Sequence, residues 1–384
     1  MRRSELLPEV VDEGYVAELE AIAHAHGITH TGVARADPLL EARTEIERRR
    51  DLGLHDGMQF TFKNPDRSTD PGQAVAGARA VVVGARPYLI DEPPATDLDG
   101  VRARVARYAW VDHYAPLREG LWAVAARLRA DGWKAVAYAD DNSMVDRAIA
   151  YRAGIGWFGK NANLLVPGAG SWFVLGSVVT TAPLPATATP VADGCGSCRR
   201  CIDGCPTGAI IEPGVIDAGR CLAWQLQKPG IFPLALRRAL GDRIYGCDDC
   251  QEVCPPTVHL GHRATVAPDA SADSTIQSTI DVLELLDADD ETILHRWGRW
   301  YLTDRDPTWH RRNALIVVGN VVRDQEPSTD MVSRVASVLG RYLAHDDPVL
   351  RAHAVWAART ARLDHLLRDD ERDPLVVAEM TGTL

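Results

Sequence analysis

Cys195-Gly196-Ser197-Cys198-Arg199-Arg200-Cys201-Ile202-Asp203-Gly204-Cys205-Pro206, then a lone Cys221, then Cys247-Asp248-Asp249-Cys250-Gln251-Glu252-Val253-Cys254-Pro255, hold all eight cysteines of a 384-residue chain. The first run reads CxxCxxCxxxCP, and the second repeats it with its leading cysteine displaced upstream. Two-residue spacings let neighbouring thiolates converge on three corners of one iron–sulfur cubane, while the cysteine before the proline reaches toward the other cluster. The ligand sets therefore interlock. One cluster takes Cys195, Cys198, Cys201 and Cys254; the other takes Cys221, Cys247, Cys250 and Cys205. Zinc sites and disulfides are the competing readings, but zinc ribbons use two CxxC pairs rather than this doubled pattern.

The rest of the composition sets bounds on this module. A chain of this length carries two or three domains. No run approaches eighteen apolar residues, so a membrane span is not expected. Arg2 and Arg3 are followed by Glu5, Glu9, Asp12 and Glu13 with no apolar segment, so no export signal is read and a cytoplasmic location is expected. Thiolates reserved for clusters agree with a reducing compartment. The net charge of -11 argues against broad adhesion to nucleic acid, although a local basic face remains compatible with it. Basic charge rests on 38 arginines and only four lysines, among them Lys160.

Ahead of the cysteines, helical periodicity predicts a helix over Val10–His26 with Gly27 as its stop, a strand over Ile28–Ala34 and a helix over Leu39–Leu52. The apolar run Ala78–Ala85 predicts a buried central strand, residues 113–130 a helix and Ala135–Ala139 a strand. Alternating strand and helix implies a layered α/β domain. Ser143-Met144-Val145-Asp146 fits a capping box that opens a helix to Ala153. The glycines of Gly154-Ile155-Gly156-Trp157-Phe158-Gly159-Lys160-Asn161 satisfy no nucleotide-binding pattern and predict close backbone approach to something flat or bulky. Ser171–Val179 reads as a strand, and Thr181–Asp193 as the linker into a ferredoxin-like module.

Beyond Cys254, Thr257–Ser278 reads as polar loop, and Asp306-Pro307-x-Trp309 is echoed by Asp347-Pro348-x-Leu350 at a spacing suited to paired-helix repeats. Residues 293–323 place Arg296, Arg299, Arg305, Arg311, Arg312 and Arg323 among Trp297, Trp300, Tyr301 and Trp309, a mixture suited to RNA contact.

Together these residues resemble the epoxyqueuosine reductases, iron–sulfur and cobalamin enzymes that finish queuosine in transfer RNA. The landmarks are Gly32-Val33-Ala34-Arg35-Ala36, Ala106-Arg107-Tyr108-Ala109, the segment from Asp140 to Asn161, Gly170-Ser171-Trp172-Phe173, both cysteine runs, and Arg312-Asn313-Ala314 with Gly319-Asn320. The resemblance implies an α/β (α+β) cobalamin-binding domain over 1–185, an inserted ferredoxin-like domain with two [4Fe-4S] clusters over 186–262, and an all-α HEAT-like domain over 279–384. By its place before the helix and seven residues ahead of Arg147, Asp140 matches the family's proton-donating aspartate. Arg107, Tyr108, Lys160, Leu164, Ser171, Leu175, Leu222, Asp248 and Asp249 fall where the family lines the corrin. The chain departs from the family at Asp112-His113-Tyr114-Ala115-Pro116-Leu117, where Asp-Tyr-His-x-x-Leu is usual.

The activity so implied is reduction of epoxyqueuosine to queuosine in tRNA, bound by its anticodon stem-loop, with electrons from an external ferredoxin or flavodoxin and the enzyme acting as a monomer. A dehalogenase-like reductase of small molecules and a plain electron carrier are the alternatives.

Overall fold

The computed structural model describes residues 11–60, 62–93, 100–186, 191–264, 276–324 and 327–382. Val10, the Arg2 and Arg3 region, and residues 187–190 of the expected linker lie outside them. The chain forms two compact units. One comprises residues 1–91, 112–219 and 249–274; the other comprises 92–111, 220–248 and 275–384.

The first unit is built on a four-stranded sheet in the order His30–Arg35, Ala80–Pro87, Phe173–Thr180, Ala135–Ala139. Every pairing in it is antiparallel. The layered sheet is therefore of the α+β kind, because sequence alternation of strand and helix does not by itself fix strand direction. Ala80–Pro87 is buried at all eight positions, which is why it reads as an unbroken apolar run. Helix Tyr114–Ala130 turns Leu117, Leu121, Val124 and Leu128 inward, and Ala148, Ile149 and Ala150 of helix Asp146–Arg152 pack with Val81, Val83 and Val179.

The capping box does not form. The backbone N–H of Val145 donates to Ser68 O at 3.1 Å, and the Ser143 hydroxyl receives Arg67 Nη2 at 3.0 Å. The helix thus starts at Asp146, with Val145 as an uncapped N-cap. The cysteine segment of this unit carries helix Arg200–Asp203, the hairpin Ile210–Glu212 with Val215–Ile216, and helices Asp249–Glu252 and Pro255–Leu260. Of the polar loop expected over Thr257–Ser278, residues 265–275 lie outside the described residues and the start is helical, since two prolines preset the first turn of Pro255–Leu260.

The second unit is mainly helical. A short sheet orders Arg243–Tyr245, Arg102–Val105 and Thr279–Asp281. Helices Pro307–Asp324 and Pro348–Thr360 both open on Asp-Pro, with Asp306 accepting from Thr308 N at 2.9 Å and Asp347 from Val349 N at 2.7 Å. Helix Pro307–Asp324 buries nearly its whole length, His310 and Arg312 to Val322. The arginine and aromatic stretch of residues 293–323 is divided between core and surface. Trp297 is 0% and Trp300 2% exposed, Arg311 pairs with Asp290 at 2.6 Å, Arg296 pairs with Glu284, and Arg312 is buried. Arg296, Arg299, Tyr301, Arg305 and Arg323 remain exposed. Large aromatic rings are worth more inside a helical core than on its surface, which takes Trp297 and Trp300 into the core and leaves the exposed arginines with Tyr301 on the surface. Among the described residues no helix is long and apolar enough to cross a membrane.

Candidate functional site

In the first unit, strands Trp157–Phe158 and Leu164–Leu165 pair as a small hairpin. Its glycines approach the chain itself: a Cβ on Gly156 would lie 2.2 Å from Leu165 O, and one on Gly159 2.2 Å from Leu165 Cδ1. The turn presents Lys160 and Asn161 to the cysteine loops. Lys160 Nζ donates to Gly196 O at 2.6 Å and Cys198 O at 2.9 Å, and Asn161 Nδ2 donates to Cys250 O at 3.2 Å. Both side chains hold cysteine-loop carbonyls.

Beside that turn is a cavity of about 380 Å³ lined by Cys195, Cys198, Cys201 and Cys254 together with Lys160, Leu165 and Pro255. Burial pushes the Cys201 and Cys254 thiols up, with neighbouring thiols adding to the effect. Among the described residues no three His, Cys, Asp or Glu side chains gather closely enough for a single metal ion. Four thiols spread around one largely apolar cavity instead fit a cubane, whose iron corners are held by separate thiolates. All eight cysteines are free thiols. Cys205 Sγ accepts the N–H of Ala209 at 3.2 Å, a bond that favours its thiolate, and its thiol is lowered in spite of burial.

Asp140 ends strand Ala135–Ala139 at φ 54°, in the left-handed region that Asp tolerates better than most residues. Its side chain is exposed at the surface, yet crowding by the chain around it raises the carboxyl above the ordinary range; Arg118 opposes the rise and Asp141 adds to it. Asp141 accepts from Ser143 N at 2.7 Å and shapes the turn. Arg118 lies 3.6 Å from Asp112. Asp112 in turn accepts from the N–H groups of Tyr114 and Ala115 at 3.0 Å each. The departing Asp112-His113-Tyr114 therefore starts the helix that carries Arg118, with His113 buried against Tyr88.

Sequence reasoning missed Asp146 as a functional candidate by treating it as half of a cap. Its Oδ1 is buried with no hydrogen-bond partner. Burial raises its carboxyl well above the usual value, and Asp140 and Asp141 push in the same direction against Arg147. A raised folded-state pKa stabilises the protein while the group is protonated, and that stability is lost as pH rises through it. Asp146→Asn should therefore flatten the fall of Tm as pH rises from the ordinary carboxylate range through that raised value. Parallel melting curves check this.

Leu164 and Ser171 are both 5% exposed. Leu164 packs in the core with Ile149 and Val166, and Leu175 packs half-buried against it. Ser171 Oγ donates to Gln251 Oε1 at 2.8 Å and bonds Thr257 Oγ1 at 3.0 Å, which ties the strand leader to the helices around Cys254.

In the second unit, Asp248 Oδ2 accepts from Arg107 N at 2.6 Å. The Arg107 side chain lies over Trp110 at 4.8 Å and 3.5 Å from Glu92, and the Tyr108 ring stands 5.9 Å from Tyr245. Leu222, 2% exposed, is the first residue of the helix capped by Cys221. Asp249 opens helix Asp249–Glu252 in the first unit. Of the residues expected at a corrin, Arg107, Tyr108, Lys160, Leu175 and Asp249 keep accessible surface, whereas Leu164, Ser171, Leu222 and Asp248 are buried.

An α+β sheet, a double set of cluster-type thiols and a helical C-terminal part together define an iron–sulfur redox protein. Residues 194–257 match the family described as a 4Fe-4S double cluster binding domain. Over 360 residues the chain is 32% identical to the epoxyqueuosine reductase of Xanthomonas campestris pv. campestris, spanning 89% of this chain and 94% of that protein. Over 338 residues it is 30% identical to that of Bacillus anthracis, spanning 86% and 85%. The crystal structure of an epoxyqueuosine reductase with an epoxyqueuosine-modified tRNA-Tyr stem loop matches with a TM-score of 0.83 at 25% identity, over 96% of this chain and 98% of that one. The chain belongs to the epoxyqueuosine reductase family and is an iron–sulfur oxidoreductase.

Proposed function

We propose that this chain reduces epoxyqueuosine to queuosine in tRNA with Asp140 as the proton donor. Two electrons and two protons enter, the epoxide oxygen leaves as water, and a carbon–carbon double bond forms. The observation that carries the assignment of the acid is Asp140 itself: a solvent-reachable carboxyl on a left-handed turn, with its pKa raised by its surroundings. Opening an epoxide leaves an alkoxide, a poor leaving group until protonated, so a carboxyl that keeps its proton to higher pH is suited to the step. Crowding by the chain around Asp140 is the main cause of the rise, with Arg118 opposing it and Asp141 adding to it.

The electrons are supplied, when bound, by two [4Fe-4S] clusters and a cobalamin. Cys195, Cys198, Cys201 and Cys254 would hold the first cluster, as the shared cavity supports, and Cys221, Cys247, Cys250 and Cys205 the second. Arg107, Tyr108, Lys160, Leu175 and Asp249 would contact the corrin through their accessible surface, and the buried Leu164, Ser171, Leu222 and Asp248 would support them by packing. The corresponding division is 1–185 for a cobalamin-binding domain, 186–262 for an inserted ferredoxin-like domain and 279–384 for a HEAT-like domain, a reading favoured by the duplicated Asp-Pro helices. A cytoplasmic monomer, an anticodon stem-loop as the bound part of the tRNA, and an external ferredoxin or flavodoxin complete the reading.

Reconstituted, reduced protein mixed with epoxyqueuosine-containing tRNA should yield queuosine by mass spectrometry of the digested nucleosides. Absence of queuosine, where an active family member produces it in parallel, overturns the substrate.

A further inference from the structure

We propose that the C-terminal helices clamp the segment Leu222–Gly246, and that Arg312, Asn313 and Asn320 are positioning residues for Cys221 and Cys247, which bracket it. The inference rests on the reading of these two cysteines as cluster ligands. The observation behind it is a set of side chains from helix Pro307–Asp324 that spend their donors on the carbonyls of this one segment. Arg312, 1% exposed, donates from Nη2 to Gln225 O at 3.0 Å and Leu226 O at 3.1 Å, and from Nη1 to Lys228 O and to Gly230 O at 3.0 Å. Asn313 Nδ2 reaches Leu226 O at 3.0 Å and Ile244 O at 3.4 Å. Asn320 Nδ2 takes Arg237 O at 2.7 Å and Gly241 O at 3.0 Å.

The neighbouring helices reinforce the same grip. Phe232 N donates to His353 Nε2 at 3.2 Å. Arg237, fully buried, meets Glu379 of the last helix at 2.9 Å. Thr303 Oγ1 donates to Gln227 O at 3.0 Å, and Tyr301 N to Tyr245 Oη at 2.8 Å.

A loop between two cluster ligands has to be rigid at both ends, because thiolates that wander lose the metal to solvent. Leu222–Gly246 has only two short helices, Leu222–Gln227 and Leu234–Leu240, and one short strand, Arg243–Tyr245. The carbonyls that Arg312, Asn313 and Asn320 take would otherwise need water, and buried polar groups without partners are costly. A planar guanidinium with several donors can satisfy four carbonyls at once, where an ammonium could not reach them together. Burial disfavours the Arg312 charge, as does Arg237 nearby, so the guanidinium is retained because those carbonyls accept from it.

Arg312→Lys, Asn313→Ala and the milder Asn320→Ala test the clamp, with Tyr342→Phe as a control, since Tyr342 donates to Leu286 O outside the segment. Expected in the three variants is amide exchange over 222–246 faster by about tenfold or more. Iron per chain should fall to about half, with the paramagnetic resonance signature of a single reduced [4Fe-4S] cluster and unchanged helical circular dichroism. The control should keep both clusters. Unchanged exchange in all three variants, or loosened exchange with both clusters fully loaded, overturns the clamp. Cys221→Ala run in parallel separates the two readings. Full iron in that variant overturns the ligand assignment and the proposal with it, whereas full iron in the tail variants alone overturns the clamp.

Discussion

Asp140→Asn is expected to retain iron, cobalamin and tRNA affinity while losing turnover by about 10²–10⁴-fold, the range for a positioned general acid. Asn is isosteric and tolerates the left-handed backbone at φ 54°, so the fold has no reason to respond. The wild-type pH profile is the more discriminating measurement. Crowding by the chain around it, with Asp141, raises the Asp140 carboxyl, so turnover should decline as pH rises through that raised value, and the residual activity of the variant should lack this limb. Wild-type turnover in Asp140→Asn, or the same limb in both proteins, removes Asp140 from the role of donor.

Cys254→Ala has the second large effect. This thiol shares its cavity with Cys195, Cys198 and Cys201, and its backbone N–H is fixed to Gln251 O at 3.0 Å, so the main chain stays in place when the sulfur is removed. Iron should fall to about half of the wild-type content, because each cubane takes one set of four thiolates. Turnover should drop below detection, while the sheet of the first unit keeps its melting transition. Full iron content with unimpaired reduction would show that Cys254 is not a ligand.

Much of this was legible from residue order. The cysteine stretch announces itself because cubane ligation imposes short, fixed spacings. The central strand Ala80–Pro87, expected two residues earlier at Ala78–Ala85, was legible because a strand buried on both faces has no polar alternation to hide it. The Asp-Pro starts at 306 and 347 were legible because a cap and a proline are local signals. What escaped the sequence depends on partners distant in the chain. The capping box at Ser143 matched its pattern, but Arg67 takes the hydroxyl and Ser68 the Val145 amide, and neither competitor is visible within a four-residue window. The orphaned oxygen of Asp146 was hidden for the same reason. Arg312 stood out only as part of a basic stretch and of the Arg312-Asn313-Ala314 landmark, with no role attached. Its job appears only once four carbonyls from Gln225 to Gly230 are folded beneath it.

The left-handed backbone of Asp140 also narrows how this position can drift once selection on activity is relaxed. Glu, ordinarily the mildest replacement, would meet a backbone penalty of about 1–2 kcal/mol as well as a longer reach, whereas Asn and Gly fit without strain. Homologues that have abandoned the chemistry but kept the fold should therefore carry Asn or Gly here rather than Glu. That one column of a genome survey becomes a marker for separating working enzymes from retired copies.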